Sequence, residues 1–129
     1  MKRIWLEHYP KGVPADVDVQ RYRSLKHILE ESCTRFRDLP AFTNMGTSIT
    51  YGELDRLTAQ FGACLQKHAG LAKGGRVALM MPNLLQYPVA LFGALRAGMT
   101  IVNVNPLYTA RELRPVSYTH LTLPTTPYV

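Results

Sequence analysis

The chain predicts an α/β fold built on one strand–helix–strand unit, and three features of residues 76–105 predict it. A short apolar run, Val77 to Met81, stops at Pro82-Asn83. A second run, Thr100 to Val104, stops at Asn105-Pro106. Runs this short, with turn residues at their ends, suit strands buried on both faces. The segment between them has helix length, with Leu84, Leu85, Pro88, Leu91, Phe92, Leu95 and Arg96 recurring at three- and four-residue steps. Strand, helix and strand in about thirty residues make a crossover that sets the two strands side by side and parallel. A small hairpin and flanking helices complete the expected architecture.

The elements follow in chain order. Residues 1–20 carry Pro10, Gly12 and Pro14 and read as an irregular lead-in, with Trp5 and Tyr9 expected to pin it to the body. Ser24 is the candidate N-cap of a first helix with the stripe Leu25, Ile28, Leu29, Cys33 and Phe36, ended by Asp38-Leu39-Pro40. His27 lies off that stripe and is expected in solvent. Ala41–Asn44 and Ser48–Thr50 form a hairpin with Gly46 in its turn.

Thr50-Tyr51-Gly52-Glu53 is a capping box, in which each end residue's side chain takes the other's backbone amide. The helix it opens has the stripe Leu54, Leu57, Phe61, Cys64 and Leu65, and Gly70 ends it in a left-handed conformation. Lys73-Gly74-Gly75 turns into the first crossover strand. Asn83 is the expected cap of the crossover helix, and Pro88 predicts a late or bent first turn, because proline deeper in a helix costs about 3 kcal/mol. Thr109-Ala110-Arg111-Glu112 is a second capping box, whose helix is expected to stop at Pro115 after one turn.

With 129 residues the chain makes one domain at most, and 47% apolar content argues against disorder. Its net charge of +6 invites a nucleic-acid or anionic-membrane partner. The cations are scattered, however, and no run of basic residues interleaved with aromatics exists, so no nucleic-acid partner is expected. Cys33 and Cys64 lack metal-ligand spacing and are expected as buried thiols in a reducing compartment. The opening MKRIWLEHYP has no apolar core of the kind a secretory signal needs. No uncharged run is long enough to span a bilayer.

Some candidate chemistry is only apparent. Gly93 to Thr100 mimics a phosphate loop but has Met99 where lysine is needed, and it ends a helix instead of starting one. No G-x-G-x-x-G follows a strand. His8, His68 and His120 have no partner cluster, and Asn83 and Asn105 read as turn and cap residues.

The stretch Val116–Val129 differs in kind, with no Asp, Glu, Lys or Arg, several threonines and two prolines. Back-translated, Val116 to Thr125 resembles a transposase-type sequencing-library adapter read in one frame, with the adapter's preceding bases completing a proline codon. Residues 115–129 are therefore expected to be a non-native, unstructured tail, with native sequence in residues 1–114.

Several blocks resemble the adenylate-forming (AMP-binding) superfamily. They are Thr50-Tyr51-Gly52-Glu53-Leu54, then Gly75-Arg76-Val77-Ala78-Leu79 with Pro82-Asn83, then Ala90-Leu91-Phe92-Gly93 with Leu95-Arg96-Ala97-Gly98, and Asn105-Pro106-Leu107-Tyr108-Thr109 with Glu112-Leu113. Gly75 departs from the pattern, which usually has Asp there. Within the superfamily, Met80–Gly93, Val102–Tyr108, Ile4-Trp5-Leu6 with Tyr9-Pro10, and Ala41–Gly46 resemble bacterial long-chain fatty acid–CoA ligases. The resemblance spans residues 1–114 and implies the amino-terminal part of the large AMP-binding domain, an incomplete α/β subdomain.

For the parent, the resemblance implies ATP, Mg²⁺ and coenzyme A as cofactors, a long-chain fatty acid as substrate, a homodimer, and a cytoplasmic location with peripheral attachment to the inner membrane. The family's phosphate loop, adenine and ribose segment and catalytic lysine all fall beyond residue 114. The resemblance therefore assigns no catalytic, cofactor-binding or metal residue to this chain, and the fragment is expected to be inactive and to bind none of these cofactors. Two alternatives stand beside this reading: another adenylate-forming acid–thiol ligase, or a small non-catalytic α/β module that binds nucleotides or a membrane surface.

Overall fold

In the computed structural model, residues 3–121 are described. The order is a 3₁₀ turn (Ile4–His8), α1 (Leu25–Arg35), β1 (Pro40–Asn44), β2 (Thr47–Thr50), α2 (Tyr51–Lys67), β3 (Arg76–Leu79), α3 (Gln86–Arg96), β4 (Thr100–Asn103), α4 (Ala110–Val116) and a π-helical turn (Ser117–Leu121). β1 and β2 pair antiparallel, and β3 and β4 pair parallel with Arg76 opposite Thr100 and Leu79 opposite Asn103. The α/β class and the central crossover thus hold.

Local chemistry accounts for most boundaries. The Ser24 hydroxyl accepts the His27 amide at 3.1 Å and starts α1. At the start of α2, Thr50 Oγ1 accepts the Glu53 amide at 3.1 Å, and the Thr50 amide donates to Glu53 Oε2 at 2.9 Å. The same reciprocal pair, Thr109 and Glu112, opens α4. Gly70, at φ 63°, turns the chain after α2, and the Leu71 amide reaches back to the Leu65 carbonyl. Between β1 and β2 both turn residues, Met45 and Gly46, have positive φ, as a two-residue hairpin turn matched to strand twist requires.

Two small cores hold the layers. Leu29, Cys33 and Leu54 are buried where α1, α2 and the hairpin meet, with Val89 and Phe92 of α3 against them. Ala94, Ala97 and Met99 are buried under the crossover, against Leu65, Leu71, Val77 and Ile101.

Several expectations are corrected. α3 starts at Gln86 with Leu85 in the cap position, so Asn83 caps nothing. Pro88 is then the third helical residue, where its missing amide has no intrahelical partner to lose; the late start follows. The most buried positions of α3 are Pro88, Ala90, Gly93 and Ala94, because α2 lies too close for larger side chains. Cys64 is exposed, on the outer side of α2, whereas Cys33 is buried as expected. Trp5 and Tyr9 are exposed and pin nothing.

Helical structure also runs through Pro115, so the described residues 115–121 are not unstructured. Proline removes one amide from the α-ladder, and the chain widens into a π-turn immediately afterwards. The Arg76 guanidinium donates to the His120 carbonyl at 2.9 Å and ties that turn to the sheet. The rest of the expected tail, 122–129, lies outside the described residues.

Candidate functional site

In open parallel sheets, ligands approach the carboxyl ends of the strands, so the loops after β3 and β4 are the place to look. After β3, the Asn83 carbonyl accepts the Asn44 side-chain amide at 2.9 Å, tying this loop to the hairpin. Beside it lies a cleft of about 430 Å³ lined by Phe42, Asn44, Leu84, Tyr87, Leu91 and Phe92. The Tyr87 hydroxyl hydrogen-bonds Asn103 Oδ1 at 3.0 Å and joins α3 to the end of β4. After β4, Asn105 Oδ1 accepts the Leu107 amide at 3.0 Å, a side-chain-closed turn that exposes Leu107. Asn83 and Asn105 are therefore loop-shaping residues, Asn83 through its carbonyl and Asn105 through its side chain.

The polar centre that sequence reasoning missed lies at the α2–α3 crossing. Arg96 Nη1 donates to Asp55 Oδ1 at 2.6 Å, to the Asp55 carbonyl at 3.0 Å and to Thr58 Oγ1 at 2.9 Å. Thr58 is fully buried and its hydroxyl donates to the Asp55 carbonyl at 3.0 Å. The available signal was a lone cation on an apolar helical stripe. Every group in this cluster is satisfied by another, so it acts as a clamp between helices.

The remaining candidates also have structural roles. Burial pushes the Cys33 thiol above its ordinary pKa, with Asp55 adding to the effect, which opposes a nucleophilic role. In Gly93–Thr100, Gly93 packs inside α3 and Gly98, at φ 81°, ends it, so no helix N-terminus faces a ligand there. His8, His27, His68 and His120 are exposed and gather no ligand set. Among the described residues, no group of three His, Cys, Asp or Glu side chains could hold a metal ion.

Residues 29–118 match the family model of the AMP-binding enzyme. The chain belongs to the AMP-binding enzyme family. It is 59% identical over 113 residues to the long-chain-fatty-acid–CoA ligase of Salmonella typhimurium, a match covering 88% of this chain and 20% of that protein. The chain thus spans about a fifth of the length of the curated relatives it matches so well.

Solved structures agree. The Klebsiella oxytoca NpsA N-terminal subdomain in complex with anthranilyl-AMSN superposes with a TM-score of 0.72 at 26% identity, over 76% of this chain and 26% of that one. Mycobacterium smegmatis MbtA, in its apo structure, gives 0.70 at 33% identity, over 76% of this chain and 18% of that one. The α/β architecture is that of the N-terminal subdomain of adenylation enzymes, and the segment corresponds to the front of the long-chain-fatty-acid–CoA ligases. No helix among the described residues is long and apolar enough to cross a membrane.

Proposed function

We propose that residues 1–114 are the amino-terminal portion of an ATP-dependent long-chain fatty acid–CoA ligase. In the whole enzyme the fatty-acid carboxylate attacks the α-phosphate of ATP, forming acyl-adenylate and releasing pyrophosphate. The coenzyme A thiol then attacks the acyl carbon, and AMP leaves. Mg²⁺ would offset phosphate charge in the first step. The observation that carries the reading is the 59% identity over 113 residues, 88% of this chain.

In this reading the fragment is a structural front end. It supplies the crossover, the α2–α3 clamp and the loops after β3 and β4, and no catalytic, cofactor-binding or metal residue. The groups that could have argued otherwise are already engaged: Arg96 in its clamp, and Asn83 and Asn105 in their turns.

The direct test is a chimera of residues 1–114 with the part of the Salmonella ligase that follows its matching segment. Long-chain fatty acids should drive ATP–pyrophosphate exchange in the chimera, and the isolated chain should show none. Exchange driven by aromatic acids instead would favour another acid–thiol ligase. Tight ATP binding by the isolated chain would favour a free-standing nucleotide module.

Two finer parts belong to the same reading. The parent is cytoplasmic, a homodimer, and peripheral on the inner membrane, and the net charge of +6 on this segment of it favours acidic lipid. Sedimentation with anionic vesicles should then weaken with salt; salt-insensitive binding, or none, contradicts it. Residues 115–129 are non-native adapter sequence. An intact copy of the locus should diverge from this sequence after codon 114, and genomic DNA continuing through the tail would refute that part.

A further inference from the structure

The exposed apolar side chains of this chain are concentrated in its lead-in. Ile4, Trp5, Tyr9, Val13, Val17 and Val19 all lie in solvent, with Val17 and Val19 82% and 79% exposed. They are gathered by one contact: the Arg3 guanidinium meets Asp16 at 2.7 Å and folds the Ile4–His8 turn back beside residues 13–19. The far end of the segment is held to the body. Tyr22 meets the His27 ring of α1 edge-on, with centroids 6.1 Å apart, and the Arg21 guanidinium lies 5.2 Å over Tyr22.

A cluster of large apolar groups held in water is costly unless something covers it. The composition says what suits it. Trp5 and Tyr9 are amphipathic rings of the kind enriched where a bilayer meets water. Lys11, Arg21 and Arg23 stand exposed around them. Of the acids, Asp16 is paired with Arg3, so these three cations face only Glu7 and Asp18. The net charge of +6 on the whole chain adds to their attraction for anionic headgroups. Apart from the one turn, residues 3–23 have no regular backbone hydrogen bonding. Such a segment suits the headgroup zone, where water still serves the backbone, and not the hydrocarbon.

Placement in the sequence agrees. The AMP-binding match begins at Leu29, so the lead-in lies outside the shared adenylation domain. The 113-residue match to the Salmonella ligase, in a chain of 129, begins by residue 17 and so takes in part of it. The segment goes with a substrate whose long alkyl chain dissolves in bilayers.

We propose that the lead-in, through Ile4, Trp5, Tyr9, Val17 and Val19, is the surface by which this protein docks on an anionic phospholipid bilayer. The proposal rests on the peripheral attachment put forward above and names the segment that makes it.

Trp5 is the only tryptophan of the chain, so its fluorescence reports the segment directly. On adding vesicles of phosphatidylcholine with phosphatidylglycerol to the full chain, Trp5 emission should shift to the blue and be quenched by brominated lipid. Phosphatidylcholine alone should have a weaker effect. Tyr9→Ser and Ile4→Ser should each weaken partitioning about tenfold, the scale of withdrawing one large apolar side chain. A chain that sediments with vesicles while Trp5 emission stays unchanged overturns the proposal and leaves peripheral attachment standing through another surface. A blue shift without lipid that disappears on dilution identifies a second copy as the occupant and also overturns it. In the chimera described above, Ile4→Ser with Tyr9→Ser should reduce vesicle sedimentation, with acyl-CoA formation from detergent-dispersed palmitate unchanged. Sedimentation unaffected by that pair would show the lead-in covered by the rest of the enzyme, against the proposal. Acyl-CoA formation is read separately: a chimera that docks through these residues but makes no acyl-CoA keeps the surface and refutes the enzymatic reading.

Discussion

Gly62 of α2 and Gly93 of α3 meet where the two helices cross: a Cβ on Gly62 would lie 2.9 Å from the Gly93 carbonyl oxygen. A Cβ on Gly93 would lie 2.9 Å from both the Thr58 carbonyl and a Phe61 ring carbon. Alanine in place of glycine usually gains up to about 1 kcal/mol in a helix. Here the obstacle is largely backbone and cannot move aside, so overpacking wins. Gly62→Ala and Gly93→Ala should each lose about 1–3 kcal/mol, read as a lower denaturation midpoint. A midpoint raised by either would show that the helices can separate freely.

The Arg96 clamp sits on the next turn of the same crossing. Its ion pair with Asp55 is partly exposed, with side-chain accessibilities of 21% and 41%, so charge attraction alone contributes little. The larger effect is loss of hydrogen bonds to buried Thr58 and the Asp55 carbonyl. Arg96→Met should cost about 1–3 kcal/mol, and Asp55→Asn less, since the carbonyl and hydroxyl remain as acceptors. Equal losses from the two variants would argue that the carboxylate dominates.

Met45 occupies the left-handed region at φ 47° with its side chain almost wholly in solvent. A non-glycine residue there costs about 1–2 kcal/mol, and asparagine tolerates it far better. Met45→Asn should raise the thermal midpoint, with the hairpin intact by NMR. An unchanged or lower midpoint would indicate that the turn is not of the positive-φ type.

The two capping boxes give the chain an acid limit. The Thr50 amide and then its hydroxyl hold Glu53 below its ordinary pKa of 4.5, and Thr109 does the same for Glu112. A carboxylate depressed in the folded state adds stability above its unfolded pKa and loses it as pH falls through the folded value. Stability should therefore decline on acidification below about 4.5, the ordinary value. Glu53→Gln keeps a side-chain acceptor for the Thr50 amide but cannot titrate, so its profile should be flatter at low pH. An unchanged slope would assign the acid sensitivity elsewhere.

Much of the fold was legible because it is written in local chemistry. Thr50 with Glu53, Thr109 with Glu112, Ser24 and Gly70 mark helix ends through contacts within a few residues, and the short apolar runs of β3 and β4 allow little else. Asn83 misled because a cap residue is identified by type, whereas Pro88 moved the helix start downstream by removing an amide. Cys64 misled because a stripe of apolar residues does not say how wide the covering layer is; α3 covers Leu54, Thr58 and Gly62, and Cys64 falls outside it. Pro115 misled because a π-turn absorbs what an α-ladder cannot. The Arg96 clamp was hardest to see, since its partners lie 38 to 41 positions away in sequence.

The account stands or falls on the chimera carrying residues 1–114 of this chain. Supplied with palmitate, ATP and coenzyme A, it should form palmitoyl-CoA and AMP in equal amounts. A chimera that folds, as judged by a cooperative melt, yet makes no acyl-CoA from any long-chain fatty acid would contradict the assignment of this chain to a fatty-acid-activating ligase.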